Sequence, residues 1–314
     1  MNRKNSRDIV VVGGANMDYL VRGEKLPKPG ETAMGNEFQE APGGKGANQA
    51  VAATRLGAQV SFVARVGGDD RGKKILKRLK DDGVNTKYVI RDGEEQTGVA
   101  LIMVGEGGEK EILTAPGANL RFSVNDVHHA AKVIQSARIL LLQLEVPLEA
   151  LMSAAWLAYE AGAKIILDPA PPISLPDELL PMVSVIKPNA REAEALTGIH
   201  VRDRDTARKA AKHLLERGVG AVAVQAGDEG NLLVTSEQEY WLPKIPVQSI
   251  DATGAGDAFA AALAVALSEE RSWSEAGAWA SAAAALTTTK LGAQAGLPTR
   301  DEVLKLLARE EVKL

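Results

Sequence analysis

The chain reads as an α/β protein: a central, mostly parallel sheet with helices on both faces, plus a small β-sheet set apart. Three observations predict this. From about residue 123 helical stretches alternate with short apolar runs, the pattern of βαβ units. Runs such as Ile9–Val12 and Arg138–Leu144 are near-continuously apolar, as strands covered on both faces must be. Residues 17–40 and 97–115 stand outside the alternation, with β-rich stretches broken by Pro27, Pro29 and Gly30 and by Gly105–Gly108. Residues 1–314 therefore form one domain, and the small sheet, at about 17–40 and 97–115, is placed to act as a lid over a ligand.

The elements follow in order. Ile9–Val12 is a buried strand that ends in Gly13-Gly14, with Asn16 and Asp18 beyond its C-terminal edge. Ala15 and Asp18 stand where a dinucleotide fingerprint needs glycine. Pro42-Gly43-Gly44-Lys45-Gly46-Ala47-Asn48 leads into an Ala-rich helix that stops near Gly57. Val60–Val66 is a strand. After it, Gly67–Lys74 lacks the Ser or Thr of a P-loop and is a loop entering an amphipathic helix. A hairpin spans 97–113. Then come helix Val124–Ser136, strand Arg138–Leu144, helix Pro147–Ala161 and strand Lys164–Leu167, followed by Asp168-Pro169-Ala170-Pro171. Strand Val183–Ile186 ends in Lys187-Pro188-Asn189, helix Thr206–Arg217 follows, and strand Gly220–Gln225 ends in Ala226-Gly227-Asp228. Leu232–Val234 with Tyr240–Leu242 is a hairpin. Asp257–Leu267, Trp273–Lys290 and Thr299–Ala308 are helices.

Polar residues end strand after strand: Asn16, Glu145, Asp168 and Asn189. In open α/β sheets ligands bind at that edge. Two glycine-rich stretches could serve such a ligand. Gly43-Gly44 permits close backbone approach, while Lys45 and Asn48 bring a cation and an amide. In Asp251–Asp257 a glycine turn runs into a helix, whose first N–H groups are free to meet an anion, and Asp257 could take a proton. An ordinary loop with an acidic first helical turn explains the same residues. Asn189-Ala190-Arg191-Glu192 is a capping box, an acidic site near polyphosphate, or both.

Composition narrows the classes. The chain has 314 residues, is 45% hydrophobic and 25% charged, and carries a net charge of −4, which leaves no basic footprint for nucleic acid. It has no cysteine, hence no disulfide, Cys-ligated zinc or thiol catalysis. His128, His129, His200 and His213 form no spaced ligand set. Met1–Asp8 is polar and no apolar run nears the ~20 residues of a membrane span, so a cytoplasmic protein with no membrane partner is expected.

Gly43–Asn48 and Asp251–Asp257 resemble the two signatures of the ribokinase (PfkB) carbohydrate kinases, and Asn189–Glu192 resembles the N-x-x-E motif between them. The resemblance spans about Asp8 to Ala308. Lys45, Asn16-x-Asp18, Gln143-x-Glu145 and Asp168–Pro171 are more similar to the ribose-phosphorylating branch than to the fructokinase-like one. It implies ATP-dependent phosphorylation of D-ribose at the 5-hydroxyl. Asp257 would be general base, with an anion hole at Gly254, Ala255 and Gly256. Asn16, Asp18, Gly44, Lys45, Asn48, Glu145 and Asp257 would contact the sugar. ATP would meet Asn189, Gln225, Ala226, Gly227, Asp228, Glu229, Gly230, Gly256 and Ser281, and Glu192 would orient water around magnesium. Potassium would sit at Asp251, Thr253, Thr287, Lys290, Gly292 and Gly296, where two departures occur: Ala252 replaces a usual threonine and Gly296 a common serine. A homodimer through the β lid is implied as well. Alternatives are a kinase of deoxyribose, a nucleoside or another sugar, and a catalytically silent sugar-binding regulator.

Overall fold

The computed structural model describes residues 8–107, 109–226 and 229–310. Its strands are β1 (Asp8–Val12), β2 (Asn16–Gly23), β3 (Gly35–Gly43), β4 (Gln59–Gly67), β5 (Asn85–Asp92), β6 (Gly98–Val104), β7 (Lys110–Ala115), β8 (Ile139–Gln143), β9 (Lys164–Asp168), β10 (Val185–Ile186), β11 (Ala221–Gln225), β12 (Gly230–Thr235) and β13 (Glu239–Pro243). Its helices are α1 (Lys45–Arg55), α2 (Asp70–Asp81), α3 (Val124–His129), α4 (Ala131–Ser136), α5 (Leu148–Glu160), α6 (Ala190–Thr197), α7 (Arg204–Glu216), α8 (Ala255–Ser268), α9 (Trp273–Thr287), α10 (Ala293–Gly296) and α11 (Arg300–Arg309).

The main sheet has the order β13-β12-β11-β10-β9-β8-β1-β4-β5. Every pair from β11 to β5 is parallel, and β12 and β13 add an antiparallel edge. The apolar strands split by parity, as a period of two requires. Ile9, Val11, Ile139 and Leu141 face one core with α1, α8, α9 and α11. Val10, Val12, Leu140 and Leu142 face the other with α5 and α7. Helix α8 is Ala-rich and buried from Asp257 to Ser268, which suits a helix enclosed on all sides. The expected mostly parallel sheet with helices on both faces is therefore present.

The second sheet has the order β3-β2-β6-β7. Its inner face carries Leu20, Ala100, Ile102 and Val104, while Val21, Phe38, Leu101 and Leu113 stay exposed on the outside. One local expectation differs from the structure. The helix expected over Val124–Ser136 is two, broken at Ala130, whose N–H is shared between the Asp126 and Val127 carbonyls. Strand β5 has no continuous apolar run, because it is the sheet's edge and is only half covered.

The start of α1 is pressed onto the end of β1. A Cβ at Gly46 would lie 2.7 Å from the Gly13 carbonyl carbon and 2.8 Å from the Gly14 oxygen. Gly44 has φ 88° and a Cβ there would meet Ala15 at 2.7 Å, so only glycine suits it. Gly46→Ala is expected to cost about 1–3 kcal/mol despite alanine's better helix propensity. Gly93→Ala, where nothing lies within 4 Å, should stay within about 0.5 kcal/mol. Denaturant midpoints of the two variants check this, and equal midpoints would contradict it.

Candidate active site

The parallel strands lay their C-terminal ends in one row. Across β11, β10, β9, β8 and β1 the row reads Gln225, Lys187 with Asn189, Asp168, Gln143 with Glu145, then Asn16. At ~4.8 Å per strand it spans about 19 Å, enough for two ligands end to end. A cavity of about 650 Å3 opens over the β11 half of the row, lined by Lys45, Lys187, Asn189, Glu192, Gln225, Gly230, Ser281 and the turn Gly254–Asp257.

Asp257 is the centre of the site. It lies in the first turn of α8 and is only 5% exposed. Asn48 Nδ2 donates to one of its oxygens at 2.9 Å and Gln49 Nε2 to the other at 3.2 Å. Gln49 Nε2 also donates to Asp168 at 3.0 Å, and Gln143 Nε2 fixes the Gln49 amide by donating to its oxygen at 2.6 Å. Consecutive residues of α1 thus bring one donor to each oxygen of the Asp257 carboxyl. Gly254, in the left-handed region at φ 83°, turns the chain into α8, so the N–H groups at 254–256 precede the helical ladder. Ala255 N–H leans back to the Ala252 carbonyl at 3.3 Å.

The residues at the β1 end of the row, Glu145, Asp18, Asn16 and Asn48, lie close together. Glu145 accepts from the Lys45 backbone N–H at 2.7 Å, at the positive end of α1. Asp18 lies so close to Gly43 that a Cβ there would be 2.0 Å from its carboxylate. Asn16 is 3% exposed, and its oxygen accepts from Asn119 Nδ2 at 2.8 Å. Asn119 also accepts from Ala15 N–H at 3.0 Å and donates to the Ala15 carbonyl at 3.1 Å, so it locks the Asn16 amide with its N–H groups outward. Asn48 spends its oxygen on Gln294 and one N–H on Asp257, and one N–H remains for a ligand.

At the other end of the row the capping box is formed. Asn189 accepts from Glu192 N–H at 2.9 Å, and the two Glu192 oxygens accept from Asn189 at 2.7 and 2.8 Å. Both residues still line the cavity. Gln225 and Gly230 line it too, while Ala226 is buried and Glu229 exposed. Gly227 and Asp228 lie outside the described residues. Ser281 Oγ is buried without a partner, a polar atom left for a ligand. Beside the turn, Asp251 accepts from Thr253 N–H and hydroxyl at 2.9 and 2.6 Å and from Gly292 N–H at 2.8 Å. Thr287 is fully buried and Lys290 is exposed. Among the described residues no group of three acidic or histidine side chains is arranged to hold a metal.

Charge is concentrated here. Burial pushes Asp18 up to about 7, with Glu145 and Asp257 adding to the shift. Burial likewise raises Glu145 to about 7, against the pull of Lys45. Burial raises Asp257 too, opposed by Lys45 and by the Asn48 and Gln49 hydrogen bonds. Burial alone would lower Lys45, but Asp168, Asp257, Glu145 and Glu192 together hold it above its ordinary value. Sequence reasoning gave no role to Gln49, Asn119 or Lys187. Lys187 Nζ lies 3.3 Å from Asp168 and 3.4 Å from the Gly256 carbonyl. Gln49 and Lys187 adjoin the motifs, a usable signal. Asn119 is 103 residues from its partner Asn16 and gave none.

Residues 6–300 match the model of the pfkB family carbohydrate kinases. This chain belongs to that family. A ribokinase of Haemophilus influenzae is 40% identical over 96% of this chain and 98% of its own length. A deoxyribokinase of Salmonella typhi is 33% identical over 97% of this chain and all of its own length. The structure of Arabidopsis thaliana ribokinase complexed with ribose and ATP superposes with a TM-score of 0.88 at 36% identity, covering 98% of this chain and 99% of that one. The pfkB fold accounts for both sheets, and no described helix is long and apolar enough to cross a membrane.

A carboxyl whose folded value lies above its unfolded one binds its proton more tightly when folded. Stability is then lost as pH rises from about 4 to about 7. Asp18→Asn should therefore stabilise the ligand-free protein by on the order of 1–3 kcal/mol, the gap over wild type opening across that window and levelling above it. Denaturation at a series of pH values reads the gap, and a flat or reversed one would contradict a half-buried Asp18 carboxyl set beside other carboxylates.

Proposed function

We propose that this chain transfers the γ-phosphoryl group of ATP to the 5-hydroxyl of D-ribose, giving D-ribose 5-phosphate and ADP. The observation that carries this reading is the grip of Asn48 and Gln49 on Asp257 at the start of α8, midway along the row of strand ends. The near-full-length similarity to ribokinases supports the choice of sugar. Asp257 takes the proton as the 5-oxygen attacks phosphorus and the bond to ADP breaks. The N–H groups at Gly254, Ala255 and Gly256 meet the charge on the moving phosphoryl. Asn16, Asp18, Gly44, Lys45, Asn48 and Glu145 read the sugar hydroxyls. Asn189, Gln225–Gly230 and Ser281 hold the nucleotide.

Two metal ions fit the residues present. Magnesium keeps several waters and takes few protein ligands, and the Glu192 oxygens, each accepting one bond, have lone pairs left for such water. Bound there it would neutralise phosphate charge. Potassium would be held by Asp251 and by carbonyls at Thr253, Thr287, Lys290 and Gly292. Gly296 offers no hydroxyl, because a Cβ there would lie 2.1 Å from the Thr287 oxygen. The small sheet serves as lid. Its exposed outer face, with Phe38 at 64% and Leu113 at 71% exposure, suits a second copy in a homodimer of a cytoplasmic enzyme, and a sedimentation mass of one chain would remove that interface. Deoxyribose is the second reading, favoured by the deoxyribokinase similarity.

ADP release across ribose, deoxyribose, other sugars and nucleosides, with and without potassium, tests the proposal. Ribose is expected to turn over fastest. An inactive ribose beside another active acceptor rejects the named substrate. Asp257→Asn should bind ribose by calorimetry and turn over about 10²–10⁴-fold more slowly. Unchanged turnover would reject its role as base.

A further inference from the structure

The cavity over the turn 250–257 is lined from outside the small sheet, yet one cation reaches it from that sheet. Strand β7 is the edge of that sheet and is exposed along its length. Its first residue, Lys110, extends to Thr253 Oγ1 at 3.5 Å, just ahead of α8. Lys110 is the only member of the four small-sheet strands among the described residues that line the cavity. Two of the other lysines that line the cavity are committed. Lys187 is tied to Asp168 and to the Gly256 carbonyl, and Lys45 lies in the joint field of Asp168, Asp257 and Glu145. Lys244 lies after β13 at the outer end of the row. Lys110 makes no ion pair among the described residues, and its contact with Thr253 is at the limit of a hydrogen bond, so it is free to accept a better anion.

We propose that Lys110 is a phosphate ligand carried by the small sheet. Its ammonium meets the terminal phosphate oxygens of the nucleotide over the turn 250–257 and stabilises the charge that develops as the phosphoryl moves. This rests on the kinase reading given above. The step balances without a covalent role for the lysine. The 5-oxygen forms its bond to γ-phosphorus, its proton goes to Asp257, and the electron pair of the broken bond leaves on ADP. Lys110 only donates hydrogen bonds, as a mobile point charge suited to phosphate. Because it rides on β7, its charge arrives only when the small sheet lies against the α8 turn. A sugar held under that sheet and a phosphate over that turn thereby favour the same arrangement.

Lys110→Ala is expected to lower kcat about 10- to 100-fold, at or below the low end of what one anion-stabilising donor contributes. It should weaken ADP binding about 10-fold while adenosine and ribose bind as in wild type, and Lys110→Arg should recover most of the loss. The thermal midpoint should not move, since the side chain is exposed. A kcat and ADP affinity within twofold of wild type would overturn the proposal. So would equal losses for ADP and adenosine, or a lowered midpoint with weaker ribose binding, which mark a merely structural lysine. The ADP-against-adenosine comparison reads Lys110 whichever acceptor the enzyme uses, so a failure of ribose as substrate leaves this test intact.

Discussion

The structure turns on a group of carboxylates gathered around one lysine. Asp257, Asp168 and Glu145 lie within the field of Lys45 at the C-terminal edge of the sheet, with Asp18 beside them. Burying like charges together is costly unless a cation and hydrogen bonds offset it. Here the offset is incomplete, and Asp18, Glu145 and Asp257 all remain above the usual carboxylate range. That strain suits a binding site. A ligand rich in hydroxyls supplies the missing donors, and a carboxyl raised towards neutrality is a better base.

Backbone contact makes this arrangement possible. Gly46 against Gly13 and Gly14 brings α1 onto the end of β1, so Lys45, Asn48 and Gln49 reach strands eight and nine and the start of α8. The Gly254 turn aims α8 at the same point from the opposite side in sequence. Two segments about 200 residues apart thus share one carboxylate. The parallel order of the strands, and not any local pattern, makes them neighbours.

Strands such as Ile9–Val12 and Arg138–Leu144 were legible because short apolar runs bounded by turn residues are what strands covered on both faces require. The breaks at Gly105 and Pro29 marked the small sheet for the same kind of reason. Strand β5 was not legible, because an edge strand half covered by protein carries no apolar run. The two-residue β10 was found only through the apolar run ahead of Pro188. At the site, Asp257 and Lys45 stood out by their glycine neighbours. Gln49 and Gln143 build the hydrogen-bond chain to Asp257; Gln143 was marked only by its motif, and Gln49, a buried amide inside a helix, left no mark of its own until its partners were known. Asn119 and Lys110 come from the far ends of the small sheet's connections, and only the fold brings them to the cleft.

Lys45 opposes the effect of burial on Asp257, and the base proposed above depends on that opposition. The pH dependence of kcat/KM reports the free enzyme's essential base. Lys45→Met removes the cation while keeping the length of the side chain, and circular dichroism verifies that the variant is folded. The acid limb of the profile is expected to move up by at least about one pH unit, because burial then acts on Asp257 with less opposition. An acid limb that superimposes on that of the wild type would contradict it.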